Sequence, residues 1–502
     1  MAKYDNLPGI EVEIADGGLI LPEDATTESL LIIAPCENED TPEQPMAVRQ
    51  SSDLTTMGFG GFVVNGKVNQ IAVAWKAAFD GGARNISLLA LKGSTDEERF
   101  TYLQDVLFGI LEDYSVQNIV AVGVYADKEA VLTDTSSLRE EGVKTEQTLV
   151  AASTVSYPLV VEAGSDTITV SGKTITVTAK TYSKPEYLLD EIRRELKAQN
   201  LVDMEVYSSN SRLRFVQVGK TPFEVAAGTL DLGIEGTSTG SSVGSFAQIL
   251  ATYAEMQTVQ LGSTVAYIGT TAPVSNTLKD VKDHVDYLSS IHNEYSGHLQ
   301  VFAGPEFGYQ VQGRTDLFLM NGVVAYAALV TTLKAESATT NKTLTGMTTV
   351  NYNLSLRQLN TLTGNKFVTA RLKNGRAIVT DGITTAPDRI IGNKVFASDY
   401  TRLSTLRITQ AAVQTVRDIS EPFIGEPNEM PQYNSLTASI KGGLDAMKEA
   451  KAINDYNFTV VTRGGTLTEA IVTLELVPAF ELRKIAVNVS LSPDFQRDSE
   501  DI

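Results

Sequence analysis

Two segments at opposite ends of the chain share one pattern. Pro8-Gly9-Ile10-Glu11-Val12-Glu13-Ile14 and Ile485-Ala486-Val487-Asn488-Val489-Ser490-Leu491 both alternate apolar with polar or small residues at period two. Such a segment is a β-strand with one face to bury and a row of backbone N–H and C=O groups to satisfy. Asp16-Gly17-Gly18 sets off the first strand and Pro478 the second, so neither has much local sheet of its own. An unpaired strand edge invites another chain. The ends therefore admit two readings, a subunit that polymerises by exchanging strands or two edge strands docked on their own domain, and the pattern alone favours the second.

At 502 residues the chain is too long for a single core, and roughly three or four domains is the natural expectation. A hydrophobic content of 42% with 20% charged residues describes a folded protein rather than a disordered one. The formal net charge of −20 repels phosphate, which argues against direct nucleic-acid contact. Cys36 is the single cysteine, so no intramolecular disulfide forms, which fits a reducing compartment. Met1-Ala2-Lys3-Tyr4-Asp5 opens no apolar signal region, and no apolar run approaches a membrane span, so neither secretion signal nor membrane insertion is expected. The stretch Leu317 to Leu333 reads as one buried helix.

Along the chain, strands are predicted at 29–34, 85–91 and 119–124, with a helix at 70–79 that Asp80-Gly81-Gly82 stops. Ser94 and Glu97 have capping-box spacing before a helix whose stripe is Phe100, Leu103, Leu107, Ile110 and Leu111. This alternation of strand and helix indicates an α/β layer. From about 157 to 236 the composition turns to Thr, Val and Ser. A hairpin around Ser171-Gly172-Lys173, a helix capped by Ser183 and Glu186, and strands near 205–207 and 212–216 read as a small inserted α+β domain. The Gly/Ser/Thr run 236–244 reads as its exit linker. The α/β pattern then resumes with helices at 246–256 and 278–292 and strands at 265–269 and 299–303. Long helices at 402–419 and 436–452 and strands at 458–462, 470–476 and 485–491 follow. The fold class is thus α/β and α+β multidomain. The expected organisation is an arm (1–20), an α/β domain in two parts (21–150 and 241–344), an inserted β-rich domain (151–240), a C-terminal core (345–492) and an acidic tail (493–502).

No motif recommends an enzyme. Gly236-Thr237-Ser238-Thr239-Gly240 and Gly240-Ser241-Ser242-Val243-Gly244 match the spacing of a nucleophile elbow, but no strong strand leads into them. A hydrolase using Ser238 or Ser242 would need either serine at a strand-to-helix turn. His284, His292 and His298 are eight and six residues apart, whereas helical metal ligands favour spacings of three or four. Gly172-Lys173-Thr174 and Gly219-Lys220-Thr221 lack the earlier glycine of a phosphate loop, since Thr167 and Arg214 stand there. No catalytic, cofactor or metal residue is assigned.

Several segments, in order, are similar to the contractile tail sheath proteins of bacteriophages and related injection particles. They are Pro8 to Val12; Phe79-Asp80-Gly81-Gly82-Ala83-Arg84-Asn85-Ile86; Ala338 to Gly346 with its Asn341-Lys342; Leu359 to Asn365; Gly382-Ile383-Thr384-Thr385; Arg402 to Ile419; Phe423-Ile424-Gly425-Glu426-Pro427-Asn428; and the final strands to Leu491. The inserted block is not common to all members. The resemblance implies a virion-tail structural protein assembled in the host cytoplasm and stacked as a homo-oligomer in rings, often about six to a ring, around a tail tube. Tube, baseplate and tail terminator proteins are its implied partners, and its contraction drives the tube through the target envelope. It further implies strand exchange through Ile10, Val12, Ile14, Val472, Leu474, Leu476, Ile485, Val487, Val489 and Leu491. A tube contact through Lys441, Lys448 and Lys451 is expected from the same source. The alternatives are the sheath of a non-phage injection particle and a flagellar or adhesive filament protein.

Overall fold

A computed structural model describes residues 28–483 except 134–137, 202–203, 210–211, 220, 227, 261, 292, 312–313, 347–348, 392–393, 426–429 and 463–469. The described chain divides into two compact units. One contains 339–406 with everything before Ala335, and the other contains 335–338 and the chain from Arg407 onward. The strand Phe367–Val368 pairs with Leu299–Phe302 at the edge of the main sheet and keeps this region in the first unit.

The first unit is built on β1 (Leu30–Pro35), α1 (Gln70–Asp80), β2 (Ile86–Leu91), α2 (Asp96–Asp105) and β3 (Asn118–Tyr125). β4 (Glu129–Leu132) and β5 (Val143–Val150) lead into the inserted block, which holds β6 (Thr167–Val170), β7 (Lys173–Thr176), α3 (Pro185–Ala198), β8 (Met204–Ser209) and β9 (Arg212–Val218). The chain returns through β10 (Thr239–Ser245), α4 (Phe246–Gln260), β11 (Val265–Gly269), α5 (Leu278–Ser290) and β12 (Leu299–Phe302). β13 (Glu306–Gln310), β14 (Leu317–Asn321), α6 (Val323–Thr331) and β15 (Phe367–Val368) complete the labelled elements of this unit.

The main sheet has the order β2-β1-β3-β11-β12-β15, all parallel, with the short strand Met46–Ala47 antiparallel on β2. β1 shows why it is buried on both faces. Leu30, Ile32 and Ala34 enter one apolar cluster with α1 and α6, while Leu31 and Ile33 enter another with α2 and α4. Burying each such aliphatic side chain stabilises by about 1.5–3 kcal/mol, and a two-faced strand needs a continuous apolar run. Trp75, the chain's single tryptophan, lies in the first cluster. It donates from Nε1 to the Val48 carbonyl at 3.0 Å and stacks on Phe79.

The chain order reverses direction across the sheet between β1 and β3. Doubly wound sheets bind ligands at such a point, beyond the strand ends. Here Pro35 and Arg99 lie against Gly123 on β3. Gly123, at φ +81, lies against the Pro35 ring, and Arg99 Nη1 donates to the Gly123 carbonyl at 2.9 Å.

Four local expectations are corrected. The capping box is Thr95 with Glu98, one residue beyond the expected pair, and Ser94 also donates to Glu98. α2 then widens into a π-turn over 106–110; the extra residue turns Ile110 outward, 40% exposed, while Leu107 and Leu111 stay buried. α3 starts at Pro185 with Lys184 as its uncapped N-cap, so Ser183 and Glu186 do not form a box. The stretch from Leu317 is the strand β14 followed by α6, not one helix. Asn321 divides them, its Oδ1 accepting from Val323 N and its Nδ2 donating to the Thr270 carbonyl.

The run 236–244 is also not a linker. β10 is an inner strand of a five-stranded sheet ordered β8-β9-β5-β10-β4. Its small residues fit because neighbours fill the space: an added Cβ at Gly244 would lie 2.6 Å from the Phe100 ring, and one at Gly240 would lie 2.7 Å from Gln147 Nε2. The inserted block has an apolar cluster of its own, with Leu188, Leu189, Ile192 and Leu196 of α3 set against strand residues such as Val206 and Phe215.

The second unit contains most of α7 (Leu403–Ser420), α8 (Met430–Glu449), β16 (Ile453–Thr462) and β17 (Ala470–Pro478). Among the described residues no helix is long and apolar enough to cross a membrane.

Candidate assembly surface

β16 and β17 pair antiparallel over nearly their whole length and form a sheet of two strands among the described residues. Period two divides the hairpin into two faces. Tyr456, Phe458 and Val460 stand opposite Leu476, Leu474 and Val472. All but Leu476 join the cluster of Leu436, Ile440 and Leu444 on α8 and Val416 and Ile419 on α7. Gly443 lets the helices approach, since a Cβ there would lie 2.4 Å from Ile419 Cδ1. Yet the six inward residues of the hairpin are each only half-buried.

The outward face carries Asp455, Asn457, Thr459 and Val461 opposite Val477, Glu475, Thr473 and Ile471. Val461, Val477 and Ile471 are 50%, 45% and 42% exposed, and Phe480 just beyond the strand is 73% exposed. A hairpin alone is marginal in water, and long strands with free edges are templates for added strands. The surface combines a sheet with no third strand among the described residues, a half-covered inner face and exposed apolar groups outside.

The sequence-derived residues fall on this surface unevenly. Val472, Leu474 and Leu476 lie together on β17, with their side chains on the inner face. Ile10, Val12, Ile14, Ile485, Val487, Val489 and Leu491 lie outside the described residues. Lys441, Lys448 and Lys451 are exposed at or just past α8. Two of them are matched within the chain: Lys441 pairs with Asp445, and Lys448 with Asp455 at 2.8 Å. The Lys441 hydrogen bond, with that of Tyr456, holds Asp445 below its usual carboxylate range, and Lys448 does the same for Asp455. The outward apolar set Val461, Ile471 and Val477 was missed; the period-two alternation of 470–478 carries that signal.

The motifs set aside in the sequence occupy structural positions. Ser238 is buried, donating to Gln147 and accepting from Phe223 N at 2.8 Å. Ser242 lies inside β10, in register with Leu132 on one side and Thr145 on the other. His298 Nδ1 sits 3.2 Å from both Thr258 Oγ1 and the Thr264 carbonyl oxygen. Burial lowers the affinity of His284 and His298 for protons. His292 lies outside the described residues. Among those residues no group of three or more His, Cys, Asp or Glu side chains is arranged to hold a metal ion.

No known family profile matches the chain, and no curated protein matches it by sequence. Solved structures share its fold. A chain of the helical sheath of the anti-feeding prophage in its contracted state is 11% identical with a TM-score of 0.51, covering 97% of this chain and 99% of that one. A chain of the six-fold symmetrised baseplate of the same particle gives 11% identity and 0.50 over 97% and 99%. One from its contracted baseplate gives 12% identity and 0.50 over 99% of each chain. The mixed α/β multidomain architecture is thus the one found in the sheath and baseplate of a contractile particle.

Proposed function

We propose that this protein is the structural subunit of a contractile sheath, stacking as rings around a tube and shortening to drive that tube through a target envelope. The single observation that carries the reading is the β16–β17 sheet, two-stranded among the described residues and with its inner face half-covered. The alternating segments 8–14 and 485–491 have the period and length to extend it, coming from neighbouring copies. A donated strand contributes about four to six backbone hydrogen bonds, each roughly 0.5–1.5 kcal/mol net. Contacts of this kind are heterologous, so they propagate into a helical tube instead of closing into a small oligomer. Strand joints keep subunits connected while the bodies between them move from one packing to another. The extended packing is metastable and waits on a barrier that a baseplate signal removes. The step needs no nucleotide, and no residue is assigned chemistry.

The fold neighbours belong to an anti-feeding prophage particle, which favours a second form of the same reading: the sheath of a non-phage contractile injection particle. A tube, a baseplate and a terminator are the partners of either form. Lys441, Lys448 and Lys451 are proposed to meet acidic groups on the tube, exchanging their internal carboxylate partners for external ones.

The test is assembly. Val487→Pro removes one backbone donor and fixes φ, which a paired inner strand does not tolerate. Val487→Pro, and separately deletion of residues 1–18, should each give folded protein by circular dichroism but no tubes by negative-stain microscopy, whereas Val487→Ile should still build tubes. Normal tubes from both the proline variant and the truncated protein would exclude strand exchange through the termini.

A further inference from the structure

Tyr309 on β13 is 5% exposed, and its hydroxyl has no hydrogen-bond partner among the described residues. Buried hydroxyl groups are nearly always paired, so an unpaired one calls for an explanation. Burial, then the charge of Asp80, holds this phenol above the usual tyrosine range, so it remains a hydrogen-bond donor. Tyr309 forms part of the wall of a cavity of about 310 Å³, together with Phe62, Val73 and Val311. The two valines belong to the apolar cluster of the main sheet, and Phe62 packs against it. The more exposed part of the lining is Gln310 and the ion pair of Lys76 with Asp80 at 2.6 Å. The space is about twice the roughly 150 Å³ of a dry cavity that holds one benzene ring.

The cavity lies near the point where the described chain begins. Glu28 N donates to the carbonyl of Thr331, the last residue of α6, at 3.2 Å. The next residue, Thr332, lies against Gly82, where a Cβ would be 2.9 Å from its Cγ2. Gly82 follows closely on Asp80, which ends α1 and is part of the cavity wall. Along this path Glu28 is within roughly 20 Å of the cavity, taking about 3.8 Å per Cα step. Leu19-Ile20-Leu21 is the one run of three consecutive aliphatic residues within 1–27, and Pro22 follows it. The stretch from Leu21 to Glu28, fully extended, spans about 23–25 Å, so the run reaches the cavity. In an extended segment Leu19 and Leu21 project to one side and Ile20 to the other. Two aliphatic side chains match the space, and the backbone carbonyls of the segment supply the acceptor that the Tyr309 hydroxyl lacks.

We propose that residues 19–22 dock in this cavity of their own subunit, with Leu19 and Leu21 inside it and a backbone carbonyl accepting from Tyr309 Oη, so that the N-terminal arm leaves the subunit from a fixed point. The inference concerns a single chain and does not depend on the assembly reading. Docking takes apolar surface of both the run and the cavity wall out of water, against the cost of ordering a few residues. Anchoring the root leaves only the residues before it free, which narrows the volume the tip of the arm searches.

Thiol chemistry on the full chain, kept dilute and soluble, tests this in a Cys36→Ser background that removes the native thiol. Maleimide should react with Leu21→Cys about tenfold more slowly than with Asp5→Cys. Tyr309→Phe, which deletes the hydroxyl and keeps the ring, should speed the reaction at position 21 about fivefold. Ile20→Cys with Gln310→Cys should be joined by a short bismaleimide within one chain. A mixture of ¹⁵N-labelled and unlabelled protein then gives crosslinked peptides of a single isotope. If Gln310→Cys does not fold, Lys76→Cys in the same lining takes its place. Equal rates at positions 21 and 5, or no crosslink, overturns the docking. Crosslinked peptides of mixed isotope overturn it too, since they put a second copy in the cavity. A rate at position 21 that Tyr309→Phe leaves unchanged overturns the contact assigned to the hydroxyl.

Discussion

Pro35 and Gly123 approach so closely that a Cβ on Gly123 would lie 2.5 Å from Pro35 Cγ. This contact lies between β1 and β3, where the strand order reverses. Gly123 also sits at φ +81, which L side chains adopt only with strain. Gly123→Ala should therefore destabilise the α/β unit by about 2–4 kcal/mol, from backbone strain together with overpacking. Urea unfolding followed by tryptophan emission measures it. Adding Pro35→Ala should return part of the loss, because it removes the clash and not the strain.

Lys366 is a buried cation at the start of β15. Its Nζ donates to Glu294, to the Ala386 carbonyl at 2.7 Å and to Asp388 at 2.9 Å. Lys366→Met removes one donor from each of Glu294, Asp388 and the Ala386 carbonyl. A loss of about 3–5 kcal/mol is expected, measured by the same urea titration. Lys366→Arg should fall between the two, since a guanidinium does not reproduce three contacts aimed at one nitrogen.

Glu146 on β5 gives a pH dependence of opposite character to an ordinary salt bridge. Burial, then the charge of Glu129, push its carboxyl up to about 7, with Lys144 and Arg214 opposing. Its stabilising contribution is present below about 4.5 and lost as pH rises through about 7. Glu146→Gln should leave stability near wild type at pH 5 and exceed it by about 1–2 kcal/mol at pH 8.5. Denaturation midpoints at the two pH values provide the comparison.

The insertion point is geometrically closed. Thr148 on β5 stands directly opposite Thr239 on β10. Residues 149–238 can thus be replaced by Asn-Gly, a two-residue turn suited to a hairpin. We expect the shortened protein to fold, with the unfolding midpoint of its α/β unit close to wild type. Failure to fold would make the inserted block part of the core. The exposed edge of β5, which loses β9, makes some self-association expected at high concentration.

Strongly periodic or fully apolar segments were legible from residues alone. β1, β2, β3 and β11 were placed within a residue or two because both faces are buried, and such runs admit little else. Degenerate signals failed. Ser94-Thr95-Asp96-Glu97-Glu98 offers two capping boxes one residue apart, and only local geometry chooses Thr95 with Glu98. The 236–244 run looked like a linker because sequence shows side-chain size and not its surroundings; Phe100 and Gln147 supply the bulk that Gly244 and Gly240 lack. On the assembly surface, the strand at 470–476 was legible in the residues, and β17 covers it. That its sheet has only two described strands was not, since pairing is a long-range property.

Trp75 lies deep in the α/β unit, stacked on Phe79 and bonded to Val48, while β16 and β17 belong to the other unit. The protein thus carries an intrinsic fluorophore in one unit, while the sheet proposed to receive strands lies in the other. Emission from it reads the integrity of a subunit's body, and light scattering reads polymer growth. The two signals can be followed in one cuvette, so a variant that cannot join its neighbours is told apart from one that cannot fold.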